Sequence, residues 1–492
     1  MAAVLRALAV RCAYPGTAVP LALRAAPASR LTRARGVRRL VLVLALGACG
    51  GHAHGTTDTG IDAGYVPDAC VGLSCFQFDC AAKGAPPTSV SGTVYAPNGT
   101  LPLYGVDVYV PREDPGPLKD GAVCARCDEG LQGGSLAQTR TDEAGHFKLD
   151  NVPATSDVPL VIQIGKWRRQ IKLQTVAACE DLPLPTADTR LPKNSTEGDI
   201  PRIAISTGNA DALECLPLKL GVDPKEISSS TGTGRIHLYT NMGNTSNAGE
   251  GAALFAASWP GGSAPMTDSR ALWGSVANLS KYDIVFLSCE GAQYVESKPL
   301  AALQAMQQYA DLGGRVFASH WHNIWIGGQV ANASYGIPDW EAVANFNFGG
   351  NPIPDNLTAT IDEVSNPKGM SFAQWMLNVG GSTTKDLIPV TQARTTCTSV
   401  DTTKGERWVF LDASTSPGYS SAMNFQFTTP QNVMPESRCG KVVFSDMHVS
   451  ADSTSSPATA YPNGCSTQPL TPQEKALSFM FFDIASCVGS IF

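Results

Sequence analysis

The sequence predicts a multidomain chain, a small antiparallel β-sandwich followed by a doubly wound α/β domain, on three observations. Between about Ser89 and Leu191, short apolar–polar alternations recur with Gly, Pro, Asn and Asp between them and no helical stretch, the pattern of a small antiparallel sandwich. From about Gly198 onward, short apolar runs alternate with helical stretches, the pattern of a mainly parallel sheet with helices on its faces. The length of 492 residues holds two or three folded units at roughly 100–200 residues each. With 43% hydrophobic, 8% aromatic and 16% charged residues, 47 Gly and 34 Pro, the composition excludes coiled coil, collagen and wholesale disorder.

The first 48 residues read as a signal segment. They hold eight Arg and no Lys, Asp or Glu. Arg38 and Arg39 precede the apolar run Leu40-Val41-Leu42-Val43-Leu44-Ala45-Leu46, too short to cross a hydrocarbon core of ~30 Å as a helix but suited to the core of a signal peptide. The run ends in Leu46-Gly47-Ala48-Cys49, which resembles the lipobox of bacterial lipoproteins. That resemblance implies a diacylated Cys49, a membrane partner through the lipid, and a place in the cell envelope. Gly50 in place of the retaining Asp points to the outer membrane. Residues 49–88 form the tether, rich in Gly, Thr, Asp and Cys; His52 and His54 fall in its solvated part. Past the signal segment 28 basic side chains face 43 acidic ones, and such an acidic body offers no footprint for nucleic acid.

Setting aside Cys12 and Cys49 leaves twelve cysteines, an even number in a disulfide-permissive compartment. The sequence leaves their pairing open. Cys124-Ala125-Arg126-Cys127 is a C-x-x-C with a weaker redox or zinc reading, because no second C-x-x-C or H-x-x-H follows at zinc-ribbon spacing.

Within residues 89–191 the strand candidates are Val90–Tyr95, Val106–Val110, Phe147–Leu149 and Leu160–Ile164. Gly92-Thr93-Val94, Val106-Asp107-Val108-Tyr109-Val110 and Thr141-Asp142-Glu143-Ala144-Gly145-His146-Phe147-Lys148-Leu149, closed by Val152-Pro153, resemble the carboxypeptidase regulatory-like, prealbumin-type domain. Such domains imply scaffolding or adhesion. Asp142 and Gly145 suit a tight turn before Phe147, and His146 in that turn is an exposed filler.

Within residues 199–492 the buried-strand candidates are Ile203–Ser206, Ile236–Tyr239, Asp283–Ser288, Gly314–Ser319, Trp408–Leu411 and Lys441–Ser445. Leu213, Leu216 and Leu220 mark a helical stretch that Pro217 bends or shortens and Gly221 stops. Leu300, Leu303, Met306 and Ala310 mark a second, and Thr471-Pro472-Gln473-Glu474 is a capping box that opens a third. In such a sheet, ligands bind beyond the carboxyl ends of the strands. Three of those positions carry chemistry: Cys289-Glu290-Gly291, His320-Trp321-His322-Asn323 and Ser445-Asp446-Met447-His448. If the chain stays extended, His320 and His322 share a face, as do Asp446 and His448. Three imidazoles could then hold a divalent metal such as zinc, with Glu290 as base or further ligand. The same His320, His448, Asp446 and Glu290 could instead act as metal-free catalytic acid–base groups, or the histidines could merely bond a large loop. His237, inside an apolar strand, reads as a core residue.

The strand at Asp283, the helix ending Tyr309-Ala310-Asp311-Leu312-Gly313-Gly314, the strand to His320 and the late strand Gly440–Ser445 leading to His448 resemble the class I glutamine amidotransferase-like, flavodoxin-like fold. The similar branch is the trehalose-utilisation (ThuA-like) proteins, which implies a carbohydrate-related ligand and matches His320 and His448 to that branch's strand-end histidines. A glutaminase carries Cys at the elbow where this chain has His320, so transfer through a thioester is not expected. Cys289 follows another strand, and is a weak candidate nucleophile or a disulfide partner. Ser319 lacks a G-x-S-x-G setting. Trp321, Trp325, Trp340 and Trp375 are packing residues first and sugar platforms second. The Gly/Asn/Ser-rich segment 241–263 is either a lid over the strand ends or loose surface. Two functions remain: a cell-envelope lipoprotein that binds or hydrolyses a glycan-like or polar ligand at a His-rich strand-end site, or a non-catalytic surface adhesion or scaffold module.

Overall fold

The computed structural model describes residues 70–240, 251–329, 335–348, 356–391, 394–448 and 460–489. The chain divides into Met1–Pro67 and a compact unit, Asp68–Phe492. The signal segment, Cys49, His52 and His54 lie outside the described residues, as does 241–250 of the glycine-rich segment. The described end of the tether is fastened rather than free, with disulfides Cys70–Cys75 and Cys80–Cys179.

The first half is built of two sandwich-like sheets. Their strands are β1 (Ser89–Thr93), β2 (Asp107–Pro111), β3 (Ser135–Arg140), β4 (His146–Asp150), β5 (Ser156–Ile164), β6 (Trp167–Thr175) and β7 (Asp181–Pro183). One sheet has the order β4-β1-β7 and the other β3-β2-β5-β6. Alternation turns Val90, Val108, Val110, Leu149, Leu160 and Ile162 inward, each wholly buried. The expected turn forms: Asp142 Oδ1 accepts from the backbone N–H groups of Ala144 and His146. Gly145 there has φ +76°, and a Cβ on it would meet the Val94 carbonyl oxygen at 2.9 Å. His146 is exposed.

The second half contributes β8 (Ile203–Thr207), β9 (Ile227–Ser229), β10 (Ile236–Thr240), β11 (Thr267–Asp268), β12 (Ile284–Leu287), β13 (Arg315–Ser319), β14 (Ala344–Phe346), β15 (Leu357–Ile361), β16 (Leu387–Val390), β17 (Cys397–Val400), β18 (Glu406–Leu411), β19 (Ser421–Thr429) and β20 (Gly440–Ser445). Eleven of these form one sheet of order β11-β10-β8-β12-β13-β20-β19-β18-β15-β16, with β9 alongside β10. The strands from β11 to β20 are parallel; β19, β18, β15 and β16 continue antiparallel. A mainly parallel sheet was expected, and the antiparallel extension departs from it.

Alternate residues of the parallel strands face two different clusters. Ile203, Ile205, Ile284, Phe286 and Phe317 belong to one, and Ala204, Val285, Leu287, Val316 and Ala318 to the other. The helix Leu300–Asp311 covers the second through Leu303, Met306 and Tyr309. The helix Pro472–Ala485 covers the first, with Phe481 stacked on Phe286 at 4.9 Å between ring centroids. Its outer side meets the sandwich, where Trp167 packs on Phe481 and Phe482, so one hydrophobic cluster runs from the sandwich core to the sheet.

Pro217 shortens the Leu213 stretch as expected, to a 3-10 turn, Leu213–Cys215, and one α-turn, Leu216–Lys219. The described part of the glycine-rich segment is packed rather than loose: Phe255 is buried on Tyr461, and Trp259 Nε1 donates to the Ile227 carbonyl. Three further disulfides are Cys124–Cys439, Cys127–Cys487 and Cys215–Cys465. The C-x-x-C cysteines therefore do not pair with each other; each is committed to a distant structural bridge, which removes the redox and zinc readings of that motif. Among the described residues Cys289 and Cys397 are free and buried.

Candidate functional site

Strand register brings the carboxyl ends of β12, β13 and β20 together, since Leu287 pairs with Ala318 and Ser319 with Ser445. Just beyond these ends stand Cys289, His320 and His448. At His320 the backbone adopts φ +40°, a region an L-residue enters at a cost of about 1–3 kcal/mol and which clusters at functional sites. The chain then enters a 3-10 turn, His320–Asn323. The expectation that His320 and His322 share an extended face therefore fails, because the strand has already ended at Ser319.

Cys289, His320 and His448 each offer a ligand atom, and these atoms lie within 4.8 Å of one another. Cys289 Sγ is 3.2 Å from His320 Nδ1, and the two imidazole centroids are 5.3 Å apart. All three side chains are buried, and among the described residues the Nε2 atoms of His320 and His448 have no hydrogen-bond partner. Burial pushes the Cys289 thiol up to about 12, partly opposed by backbone N–H groups of Trp321 and Gly291. Burial pulls His448 down to about 3 and His320 well below the ordinary range. The imidazoles are thus neutral near pH 7, with lone pairs available for coordination. A thiol and two imidazoles are a chemically fitting set for zinc, and each imidazole keeps a buried ring nitrogen without a hydrogen-bond partner among the described residues.

His322 is not brought into this trio. Its Nδ1 accepts from Trp325 Nε1 at 2.8 Å, and its Nε2 lies 2.9 Å from the Ser288 carbonyl oxygen and 3.1 Å from Glu290 Oε1. Both ring nitrogens are committed, so the predicted metal set of His320, His322 and His448 is replaced by one in which Cys289 takes the third place. Glu290 does not face the trio as a free base either. Its Oε2 accepts from Lys298 Nζ at 2.6 Å, and both side chains are at most 1% exposed. Lys298 and His322 hold the Glu290 carboxyl below its usual range against the opposing effect of burial. Asp446 does not orient a histidine: its carboxylate accepts from Thr396 Oγ1 at 2.7 Å and the Cys397 N–H at 2.9 Å, and burial raises it to about 6. Here too the strand stops at Ser445, so Asp446 and His448 part company.

Two carboxylates that the sequence reading passed over stand behind the trio. Ser319 Oγ donates to Asp211 Oδ2 at 2.6 Å, and Ser288 Oγ donates to Glu214 Oε2 at 3.1 Å. Burial pushes Glu214 up to about 8. Both follow β8 at a strand end, where the rule applied to the other three strands would have found them had the leucines not drawn the segment into a helix. Of the eight tryptophans, Trp321 alone is not buried; its ring centroid is 4.9 Å from that of His320. Trp325, Trp340 and Trp375 are core residues, and His237 is buried on Tyr282.

No family model matches the chain, and no curated protein matches it. Among solved structures, chains of two type II cohesin–X-dockerin complexes from Acetivibrio cellulolyticus, an N-terminal and a C-terminal interface mutant, are similar at 19% identity, over 28% of this chain and 85% of theirs, with a TM-score of 0.16. A likeness of that size bears on neither fold nor function.

Proposed function

We propose that this is an exported, lipid-anchored cell-envelope protein that holds a divalent metal, zinc before others, at Cys289, His320 and His448. With that metal it binds or hydrolyses a polar, glycan-like ligand. The observation that carries the reading is the convergence of one thiol and two buried imidazoles at the ends of three adjacent strands. Mixed sulfur and nitrogen donors suit zinc, and three protein ligands leave the fourth position that a catalytic site keeps open. When bound, such an ion polarises a substrate oxygen and lowers the pKa of water.

The chain's own residues supply the rest. Backbone N–H groups of Trp321 and Gly291 steady the sulfur, and the Trp321 indole beside His320 offers a face to a sugar ring. Without a metal, the raised Cys289 thiol is a poor nucleophile, which disfavours a simple Cys–His hydrolase. The spatial order β10-β8-β12-β13-β20 and the helices on both faces support a doubly wound, amidotransferase-like sheet, whose order reverses between β8 and β12 next to this site. The five disulfides favour an oxidising compartment, in keeping with lipid attachment at Cys49 and an outer-membrane location.

The near-complete burial of the trio favours a second reading, a non-catalytic surface module in which the site is structural. Elemental analysis of the purified chain, made without affinity histidines or chelator, tests the metal. Near-stoichiometric zinc that disappears in His320→Ala/His448→Ala is expected; a metal-free native protein sinks the reading. Turnover of a glycan panel by the loaded protein separates the two roles.

A further inference from the structure

We infer that Asp211 and Glu214 are positioning residues that set the metal affinity of the Cys289–His320–His448 site, acting through Ser319 and Ser288; this deepens the metal reading above and rests on it. The two serines are the residues immediately before two of the three ligands. Each is wholly buried and donates its hydroxyl to one of the carboxylates. A ligand on a strand end is only as well placed as the peptide that precedes it, and outer hydrogen bonds of this kind fix ligand orientation.

The segment carrying the carboxylates is itself clamped to the site. The Ala210 N–H donates to the Cys289 carbonyl oxygen at 2.9 Å. Gly208 lies so close that a Cβ would meet that same oxygen at 2.5 Å and the Ser288 Cβ at 2.7 Å. The far end of the segment is tied by Cys215–Cys465.

Electrostatics gives Asp211 a second role. Asp211 and Glu214 are 3% and 5% exposed, and the charge of Asp211 opposes ionisation of Glu214, which burial already disfavours. Among the described residues Glu214 has no ion pair. A dication held by the trio would offset the buried charge of Asp211, and that charge would in turn favour the dication.

Competition titration of the full-length protein against a chromophoric chelator, with zinc and with cobalt(II), tests the inference. Asp211→Asn and Glu214→Gln are each expected to weaken binding by about 10–100-fold. Ser319→Ala and Ser288→Ala should weaken it in the same direction, by less. The metal-free thermal midpoints of the serine variants should stay near that of the parent, and the cobalt ligand-field spectrum should change while the thiolate-to-cobalt band persists. Unchanged affinity and spectrum in all four variants overturn the inference and leave the metal reading standing. So does a loss of affinity matched by an equal loss of metal-free stability in the serine variants. A parent protein that takes up neither metal overturns the reading beneath it.

Discussion

Lys298 illustrates how much of the site depends on single buried groups. Its ammonium is wholly buried and donates to Glu290 Oε2, the Gln293 carbonyl and Ser297 Oγ. Removing one partner of such a pair leaves an uncompensated charge and costs ~3–5 kcal/mol, whereas replacing both is far milder. Lys298→Met is therefore expected to lower stability in urea unfolding by about that amount, and Lys298→Met/Glu290→Gln to recover most of it. Equal losses in the two variants would show that the pair contributes no coupling. At this scale the sequence was partly legible. His320 and His448 stand out because residues just past apolar runs are few and theirs are chemically distinctive. Lys298 does not, since a lysine between Ser297 and Pro299 reads as a solvated charge until the fold buries it. Cys289 was visible, but its neighbours across the sheet were not, because pairing of β12 with β13 is a property of topology.

The helix Pro472–Ala485 shows what local chemistry can specify by itself. Thr471 Oγ1 accepts from the Glu474 N–H, the Glu474 carboxylate accepts from the Thr471 N–H, and Pro472 occupies the first turn. Thr471→Ala should cost about 1 kcal/mol, seen as a lower midpoint in thermal unfolding; an unchanged midpoint would mean that the helix start is held by packing alone. The parallel strands were legible for a similar reason: burial on both faces makes them continuous apolar runs. Of the antiparallel extension only β18 was, through Trp408–Leu411; β19, β15 and β16 were not. β19, Ser421–Thr429, mixes Ser, Asn, Gln and Thr with Phe although nearly every residue of it is buried, and β15 and β16 carry Thr and Pro on the open side. β6 escaped notice because its alternation is carried by Arg168, Arg169, Gln170 and Lys172. Of these, Arg168 is buried, with its Nε 2.8 Å from Asp199 Oδ2.

Across the whole molecule, the connection from sandwich to sheet is short and charged. Arg190 grips Glu197 through both terminal guanidinium nitrogens, at 2.6 and 2.7 Å. That pairing holds the Glu197 carboxyl down to about 2, from an ordinary value of 4.5. A carboxyl whose pKa is lowered by folding stabilises the native state above its unfolded pKa and loses that contribution as pH falls through the folded one. Stability should therefore fall between about pH 4.5 and about pH 2, and Glu197→Gln should fall less steeply over the same interval in denaturant titrations at fixed pH. Parallel slopes would rule Glu197 out as a contributor. The bridges Cys124–Cys439 and Cys127–Cys487 act at the same scale, because they return the last strand and the C-terminal helix to a loop of the sandwich. Any peptide bond cut between residues 128 and 438 leaves both pieces joined by the two bridges. A protease that cuts there would thus convert the protein into a nicked form that stays one covalent particle, distinguishable from the intact chain only after a reductant has opened it.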